Sequence, residues 1–564
     1  MLTNRREFIQ LALATLAVTG GSVSAMRQAI AGRTLTQEDI LRFQPRGQVT
    51  LIHVTDIHAQ LRPIYFREPS VNIGVGEVTG LPPHLTGEDM LKYFHIKKGT
   101  PEAHALTYLD FDNLARAYGR VGGMDRVATI VKAIRAERPG KCLLLDGGDT
   151  WQGSWTALKT GGMDMVEVMN QLGTDAMTAH WEFTYGEDRV QELVEKLKFP
   201  YLAGNVINTE WEEPVFKAWQ MFDRGGVKVA VIGQAFPYTP VANPRYKIPQ
   251  WSFGIREEMV QKHVDDARAA GAGLVVLLSH NGFDVDRKMA SRVKGLDVIL
   301  SGHTHDALPD VIKVGKTIIV SSGCSGKFVS RLDVEVKDGR MAGYSFKLMP
   351  VFSDVIAPDG EMAALIKRIR APYEKELSEV LGKTETTLYR RGNINGTFDD
   401  LICSALMERR DAEIALSPGF RWGPSLLAGS DITADDVYSQ TAITYPEAYR
   451  SEMSGKMLKD ILEDVCDNLY NPDPYYQQGG DMVRTGGLSF DLHPLEKMGN
   501  RIQNLRLSAT GKPIEASRKY VVAGWASVNE GVEGPPVWDV VKDYIRDKKV
   551  IDIKPNKDIR LAGG

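Results

Sequence analysis

Short apolar runs alternate with stretches of helical period through the N-terminal half of this chain. Residues 49–54, 142–145, 227–232, 274–278 and 298–300 are brief and rich in Val, Ile and Leu. Runs of that length predict strands buried on both faces. Residues 123–135 space their apolar positions as an amphipathic helix does. Strand and helix in alternation predict an α/β architecture of sheets covered by helices.

The runs stop in a regular way. Thr55-Asp56-Ile57-His58 follows the first, Asp146-Gly147-Gly148-Asp149 the second, and Ser301-Gly302-His303-Thr304-His305 the last. His280-Asn281 follows the run at 274–278. Polar, metal-competent side chains thus gather at strand ends, where a layered α/β scaffold places its chemistry.

Residues 61–118 break the rhythm with Pro63, Pro69, Pro82, Pro83 and Pro101. A segment this long reads either as an insertion over the mouth of a site or as a surface loop. Residues 361–381 form a charged amphipathic pattern, within a linker helix expected at 356–388. The organisation expected is a catalytic domain at 26–355 and a second domain at 389–564. In the latter, helices are predicted at 399–409 and 454–469 and a strand at 519–523.

A chain of 564 residues has room for at least two separate cores. Its net charge of −4 gives no electrostatic footprint for nucleic acid. Residues 1–25 carry paired Arg5-Arg6, an apolar run and small residues at Val23-Ser24-Ala25. That is the layout of a twin-arginine export signal, which predicts a periplasmic protein. The other reading is a membrane anchor, for which the run is short against the ~20 residues needed. Cys142, Cys324, Cys403 and Cys466 form no Cys-x-x-Cys pair. Folding in a reducing compartment before export favours buried free thiols over disulfides.

A lone histidine is more often structural than a ligand. Here five clusters recur in order: Asp56-Ile57-His58, Gly148-Asp149, His180, His280-Asn281 and His303-Thr304-His305. Asp-x-His and Gly-His-x-His set two donors on one face of an extended segment. Carboxylates with several imidazoles suit Mn, Fe or Zn.

In this order the clusters resemble the two-metal phosphoesterases of the 5′-nucleotidase type, over nearly the whole chain beyond residue 25. The resemblance implies an N-terminal four-layer αββα domain, a linker helix and a C-terminal α+β substrate domain. It implies that Asp56, His58 and His305 hold one metal, that His180, His280 and His303 hold the other, and that Asp149 bridges both. Asp146 has no matching role and is read as structural.

Thr178-Ala179-His180-Trp181-Glu182-Phe183-Thr184-Tyr185-Gly186 stands where that family's loop reads Gly-Asn-His-Glu-Phe-Asp. His180 replaces the metal-binding Asn, Trp181 the catalytic His, and Thr184 its Asp partner. The altered loop is more similar to that of the SoxB family of thiosulfohydrolases. That resemblance implies two manganese ions and, as substrate, a sulfonated cysteine on the C-terminal arm of a SoxYZ-type carrier. A nucleotidase expels a basic alkoxide, whereas this reaction expels a sulfur anion. A thiol has a pKa of ~8.5, so its anion leaves with little acid assistance. Loss of the proton-handling His is then intelligible. The other readings of Trp181 are a core aromatic and an inactive enzyme, and the alternative activity is a periplasmic 5′-nucleotidase-like phosphoesterase. Thr184 binds either substrate or its own backbone.

In the second domain, Ser417-Pro418-Gly419-Phe420-Arg421 resembles the nucleotidase Asn-x-Gly-x-x-Arg region, with Ser417 in place of Asn. Arg421 is the candidate for the sulfonate, since a guanidinium forks onto oxyanions. The stretch from Asp481 to Phe490, which contains Arg484, is expected to form a second wall. Tyr475 and Tyr476 line an entry channel or pack between domains.

Overall fold

The structure, a computed structural model, describes residues 35–562 apart from Asn393 and Asn395. The export signal read in residues 1–25 lies outside the described residues. Among these, no helix is long and apolar enough to cross a membrane.

Two sheets face each other in the N-terminal part. One has five strands in the order Arg340–Pro350, Phe328–Lys337, Val49–Val54, Cys142–Asp146, Ala176–Met177. The other has six, in the order Ile312–Val314, Thr317–Ser321, Val298–Ser301, Leu274–Ser279, Val227–Gln234, Trp219–Arg224. The two-residue period decides which side chains meet. Val49, Leu51, Leu143 and Leu145 point at Val229, Val231, Val276 and Leu278 of the facing sheet. Their neighbours Ile52, Val54 and Leu144 point outward, under the helices Met124–Glu137 and Met163–Leu172. Helices Glu257–Ala269 and Phe283–Arg292 cover the second sheet. The result is the expected four-layer α/β/β/α stack. Truncating one inter-sheet side chain, as in Leu145→Ala, costs about 2–5 kcal/mol through lost burial and a residual void.

Parallel pairing brings the ligand loops to one edge. Val54 is opposite Asp146, and Ser279 is opposite Ser301. The four loops that leave these strands therefore emerge side by side. Gly302 is required there, because a Cβ would lie 2.5 Å from Thr55 Oγ1 and 3.0 Å from His280 Nδ1.

The single helix expected over 361–381 is two pieces, Gly360–Arg370 and Glu374–Leu377. Pro372 follows the first; it has no N–H to donate and its ring crowds the preceding turn. Val380–Thr384 is a strand, paired with Asp431–Thr433 and Val550–Ile551. A four-stranded sheet in the order Tyr449–Ser454, Lys519–Gly524, Ile414–Ser417, Arg484–Gly486 carries helix Thr397–Arg409.

None of residues 61–118 lines the site cavity itself, while Asn72, Ile73, Pro83 and His84 line a smaller cavity that shares Arg421, Gly479 and Gly480 with it. The segment runs between the two parts of the molecule. Ser425 N donates to Tyr65 O at 2.7 Å, Glu68 pairs with Lys327 at 2.6 Å, and His84 meets Asp284 at 2.8 Å. Val75 joins Leu458, Leu462 and Tyr470 in an apolar cluster. All four cysteines are buried and free.

Candidate metal centre and active site

The strand-end loops converge on two buried clusters that share Asp149. One is Asp149, His180, His280 and His303; the other is Asp56, His58, Asp149 and His305. In each, the donor atoms lie within 4.8 Å of one another. Asp149 Oδ2 is 3.0 Å from His280 Nε2, 3.2 Å from His180 Nδ1 and 3.7 Å from His58 Nε2. His305 Nε2 lies 3.2 Å from Asp56 Oδ1 and 3.1 Å from His58 Nε2.

The backbone is bent to achieve this. Asp56, His58, Asp149, His303 and His305 all have positive φ, between 48° and 75°. Such conformations cost of order 1–3 kcal/mol each and persist where surrounding structure over-determines them. Glu182 supplies much of that determination. Its buried carboxylate accepts from the N–H groups of Thr150 at 2.6 Å and His180 at 2.8 Å, and from Asp149 and Trp151 at 3.3 Å. One side chain thereby ties the Asp149 loop to the His180 loop. Asp146 is structural, as expected: it accepts from Thr150 Oγ1 at 2.8 Å and from Gly148 N at 3.1 Å. Burial and the nearby Glu182 push its carboxyl up to about 8.

Carbonyl acceptors set the ring tautomers. His58 Nδ1 is 3.2 Å from Gln152 O and His280 Nδ1 is 2.6 Å from Gly147 O. A carbonyl only accepts, so in the neutral rings both Nε2 atoms present lone pairs to the centre. Burial, with the Arg421 guanidinium beside them, holds His303 and His305 well below the ordinary histidine range. Burial also lowers His58 and His180. Burial works the same way on His280, but Asp149 and Asp56 outweigh it and push that imidazole up to about 10. Burial opposes the charge on Asp149 too, yet His180 and His280 hold it well below the usual carboxylate range. His180 Nε2 and His303 Nδ1 are buried without a hydrogen-bond partner. Two carboxylates and five imidazoles converging in this way fit a pair of divalent transition-metal ions.

Beside the clusters lies a cavity of about 270 Å³ between the two parts of the chain. Trp181, Phe236, Phe420, Arg421, Trp422 and Tyr445 line it. Trp181 packs edge-on against Phe420 at 5.3 Å and Trp422 at 5.2 Å. Phe420 stacks on Trp422 at 4.2 Å, and Trp422 stacks on His58 at 5.1 Å. Arg421 donates to Gly480 O at 3.2 Å and to His303 O. Ser417 is spent on Trp525, whose Nε1 donates to its hydroxyl at 2.8 Å.

Of the candidates read from the sequence, the seven ligands, Trp181 and Arg421 come together. Thr184 does not reach the cavity. It is buried, and its hydroxyl meets Thr444 Oγ1 at 2.6 Å across the domain seam. Of the stretch 481–490, Asp481 lines the cavity, whereas Arg484 is buried away from it against Asp481 at 2.9 Å and Asp399 at 3.4 Å. Tyr475 packs between the two parts, bonded to Glu257 and capped by Lys288 at 4.0 Å, while Tyr476 is exposed. Glu182, Trp422, Tyr445 and the Gln478-Gly479-Gly480 turn were missed. Only Glu182 had a local signal, as the constant acid of the altered loop.

Residues 378–543 match the family model of the 5′-nucleotidase C-terminal domain. The 5′-nucleotidase of Rattus norvegicus is 27% identical over 477 residues, 75% of this chain and 80% of that protein. The structure of a 5′-nucleotidase precursor from Thermus thermophilus superposes with a TM-score of 0.72 at 20% identity, over 92% of this chain and 100% of that one. The structure of the Thermus thermophilus sulfate thiohydrolase SoxB superposes with a TM-score of 0.89 at 36% identity, over 93% of this chain and 98% of that one. The chain belongs to the SoxB family. As a SoxB-family chain it has the two-part fold of the 5′-nucleotidase hydrolases, with a buried centre able to hold two metal ions.

Proposed function

We propose that this chain is a dimanganese thiosulfohydrolase of the periplasm, exported by the twin-arginine pathway. It hydrolyses a cysteine S-thiosulfonate on the C-terminal arm of a SoxYZ-type carrier and releases sulfate. The observation that carries the reading is the indole of Trp181 in the cavity wall beside Asp149, locked between Phe420 and Trp422. It stands where a phosphoesterase of this type has its proton-handling imidazole.

Asp56, His58 and His305 would hold one ion, His180, His280 and His303 the other, with Asp149 shared. When bound, such a pair of ions activates water, clamps an anion and neutralises developing charge. The chain does the rest. Arg421 orients the sulfonate through its free N–H groups, because the two bonds to Gly480 O and His303 O fix the guanidinium plane. The aromatic walls exclude water and accept the apolar sulfur arm. The oxygen of water bonds to the terminal sulfur, and the sulfur–sulfur bond breaks. Sulfate and a carrier-bound persulfide anion leave with two protons. No residue in the wall needs to protonate the leaving sulfur.

The test offers manganese-loaded protein a carrier-arm peptide bearing an S-thiosulfonate and, separately, AMP. Sulfate release without phosphate release is expected. Phosphate release at the faster rate sinks the proposal. Tight peptide binding with no turnover of either substrate makes the chain a binding protein.

A further inference from the structure

Three ligand imidazoles donate their second ring N–H to a backbone carbonyl, and one of the three acceptors differs in origin. His58 and His280 use Gln152 O and Gly147 O, which belong to the same α/β/β/α part as the ligands themselves. His303 Nε2 lies 3.2 Å from Gln478 O, 175 residues away in the C-terminal part. A carbonyl accepts only, so in the neutral ring Nε2 carries the proton and Nδ1, buried and without a partner, presents the lone pair. The next residue, Gly479, has φ +72°, and a Cβ there would lie 2.3 Å from His303 Nε2. The turn is therefore pressed directly onto the ring. Phe236 stacks on that ring at 4.2 Å and sets its plane; the turn sets its tautomer.

We infer that the Gln478-Gly479 turn is a positioning element that completes the metal centre from the C-terminal part, so that affinity at the His180-His280-His303 position depends on contact between the two parts. The inference rests on the two-metal reading above. Carbonyl partners of ligating histidines orient the ring and raise its basicity, and losing one costs about 10–100-fold in metal affinity. Two further contacts reach the ligands from the same side: Arg421 donates to His303 O, and Trp422 stacks on His58.

The experiment compares Gly479→Ala with Gly429→Ala by manganese titration and metal analysis. Gly429 is a matched control away from the site, since its φ is +86° and an added Cβ there meets no atom within 4 Å. Both variants carry the strain of a positive φ, and only the first strikes His303. Wild type is expected to hold two ions per chain. Gly479→Ala is expected to keep one tightly and to bind the other about 10–100-fold more weakly, while Gly429→Ala stays near wild type. Two ions held at wild-type affinity by Gly479→Ala overturn the inference, as does equal loss in both variants. A wild-type chain that binds fewer than two ions overturns the two-metal reading instead. Should Gly479→Ala fail to fold, ¹⁵N spectra of wild-type His303 decide: an Nδ1–H tautomer in the metal-free protein overturns the inference.

Discussion

The backbone N–H of Trp181 donates to Asp149 Oδ1 at 2.7 Å. The exchanged residue of the loop thus supports the carboxylate shared by both metal clusters, through an atom that any residue but proline supplies. This separates the two parts of the residue: the backbone supports the metal clusters and the side chain faces the cavity. Side-chain chemistry at 181 is free to change without dismantling the ligands.

Trp181→His therefore leaves metal content unchanged. It restores a proton-handling group and is expected to raise AMP hydrolysis by about 10²-fold, while lowering sulfate release from the carrier peptide. Phosphate release at background with both ions bound would mean that the leaving-group argument is too simple.

Thr184→Val removes a hydroxyl that joins Thr444 across the seam. It costs about 1–2 kcal/mol in urea unfolding and leaves kcat/KM near wild type. A loss of about 100-fold in kcat at unchanged stability would return Thr184 to the reaction.

Lys247 donates to Thr444 Oγ1 at 2.8 Å and Thr444 O at 3.2 Å, beside Thr184 O at 3.4 Å, and forms no ion pair within reach among the described residues. Burial pulls its ammonium down to about 8, against a smaller opposing effect from Glu447. Below that pH the amine is protonated in both the folded and the unfolded chain. Between about 8 and the unfolded value of 10.5 the unfolded chain binds more protons, so stability rises with pH. Wild-type stability relative to Lys247→Met is expected to climb across that window. A flat difference would place the amine in a more solvated setting.

Arg421→Lys keeps the charge and loses the planar fork. The expected outcome is a fall of about 10²-fold in kcat/KM for sulfate release, with both ions retained. Unchanged kinetics would remove Arg421 from the substrate.

Glu182→Ala leaves the N–H groups of Asp149, Thr150, Trp151 and His180 without their acceptor. A destabilisation of about 3–5 kcal/mol and loss of manganese are expected together. Chelation alone should lower the melting temperature of wild type, and added manganese should restore it through ligand linkage. Metal retention in Glu182→Ala at wild-type affinity would show that positive φ at Asp149 is held by other contacts.

The ligands were legible because their signal is local. An apolar strand, a stop and a polar donor lie within a few residues, so periodicity marked Asp56, His58, Asp149, His280, His303 and His305 without any knowledge of packing. The strands at 142–145 and 274–278 were read nearly to their ends for the same reason. The helix at 361–381 failed because a long charged period outweighed one proline, Pro372, and because Val380–Thr384 becomes a strand only when it meets Asp431–Thr433. Thr184 is near the cavity-lining Trp181 on the chain, while its hydroxyl meets Thr444 in space, a neighbour that no spacing in the sequence records.

By itself, then, the sequence determined the layered scaffold, the metal donors and the exchange of a proton carrier for an indole at 181. The tertiary structure decided what those donors and that indole face. Gln478 reaches His303, Trp422 reaches His58, and Phe420 closes on Trp181 only once the two parts of the chain dock. Contacts between residues so far apart in the chain leave no period or spacing in it. They are fixed by the burial of side chains between the two parts, and that burial exists only in the folded molecule.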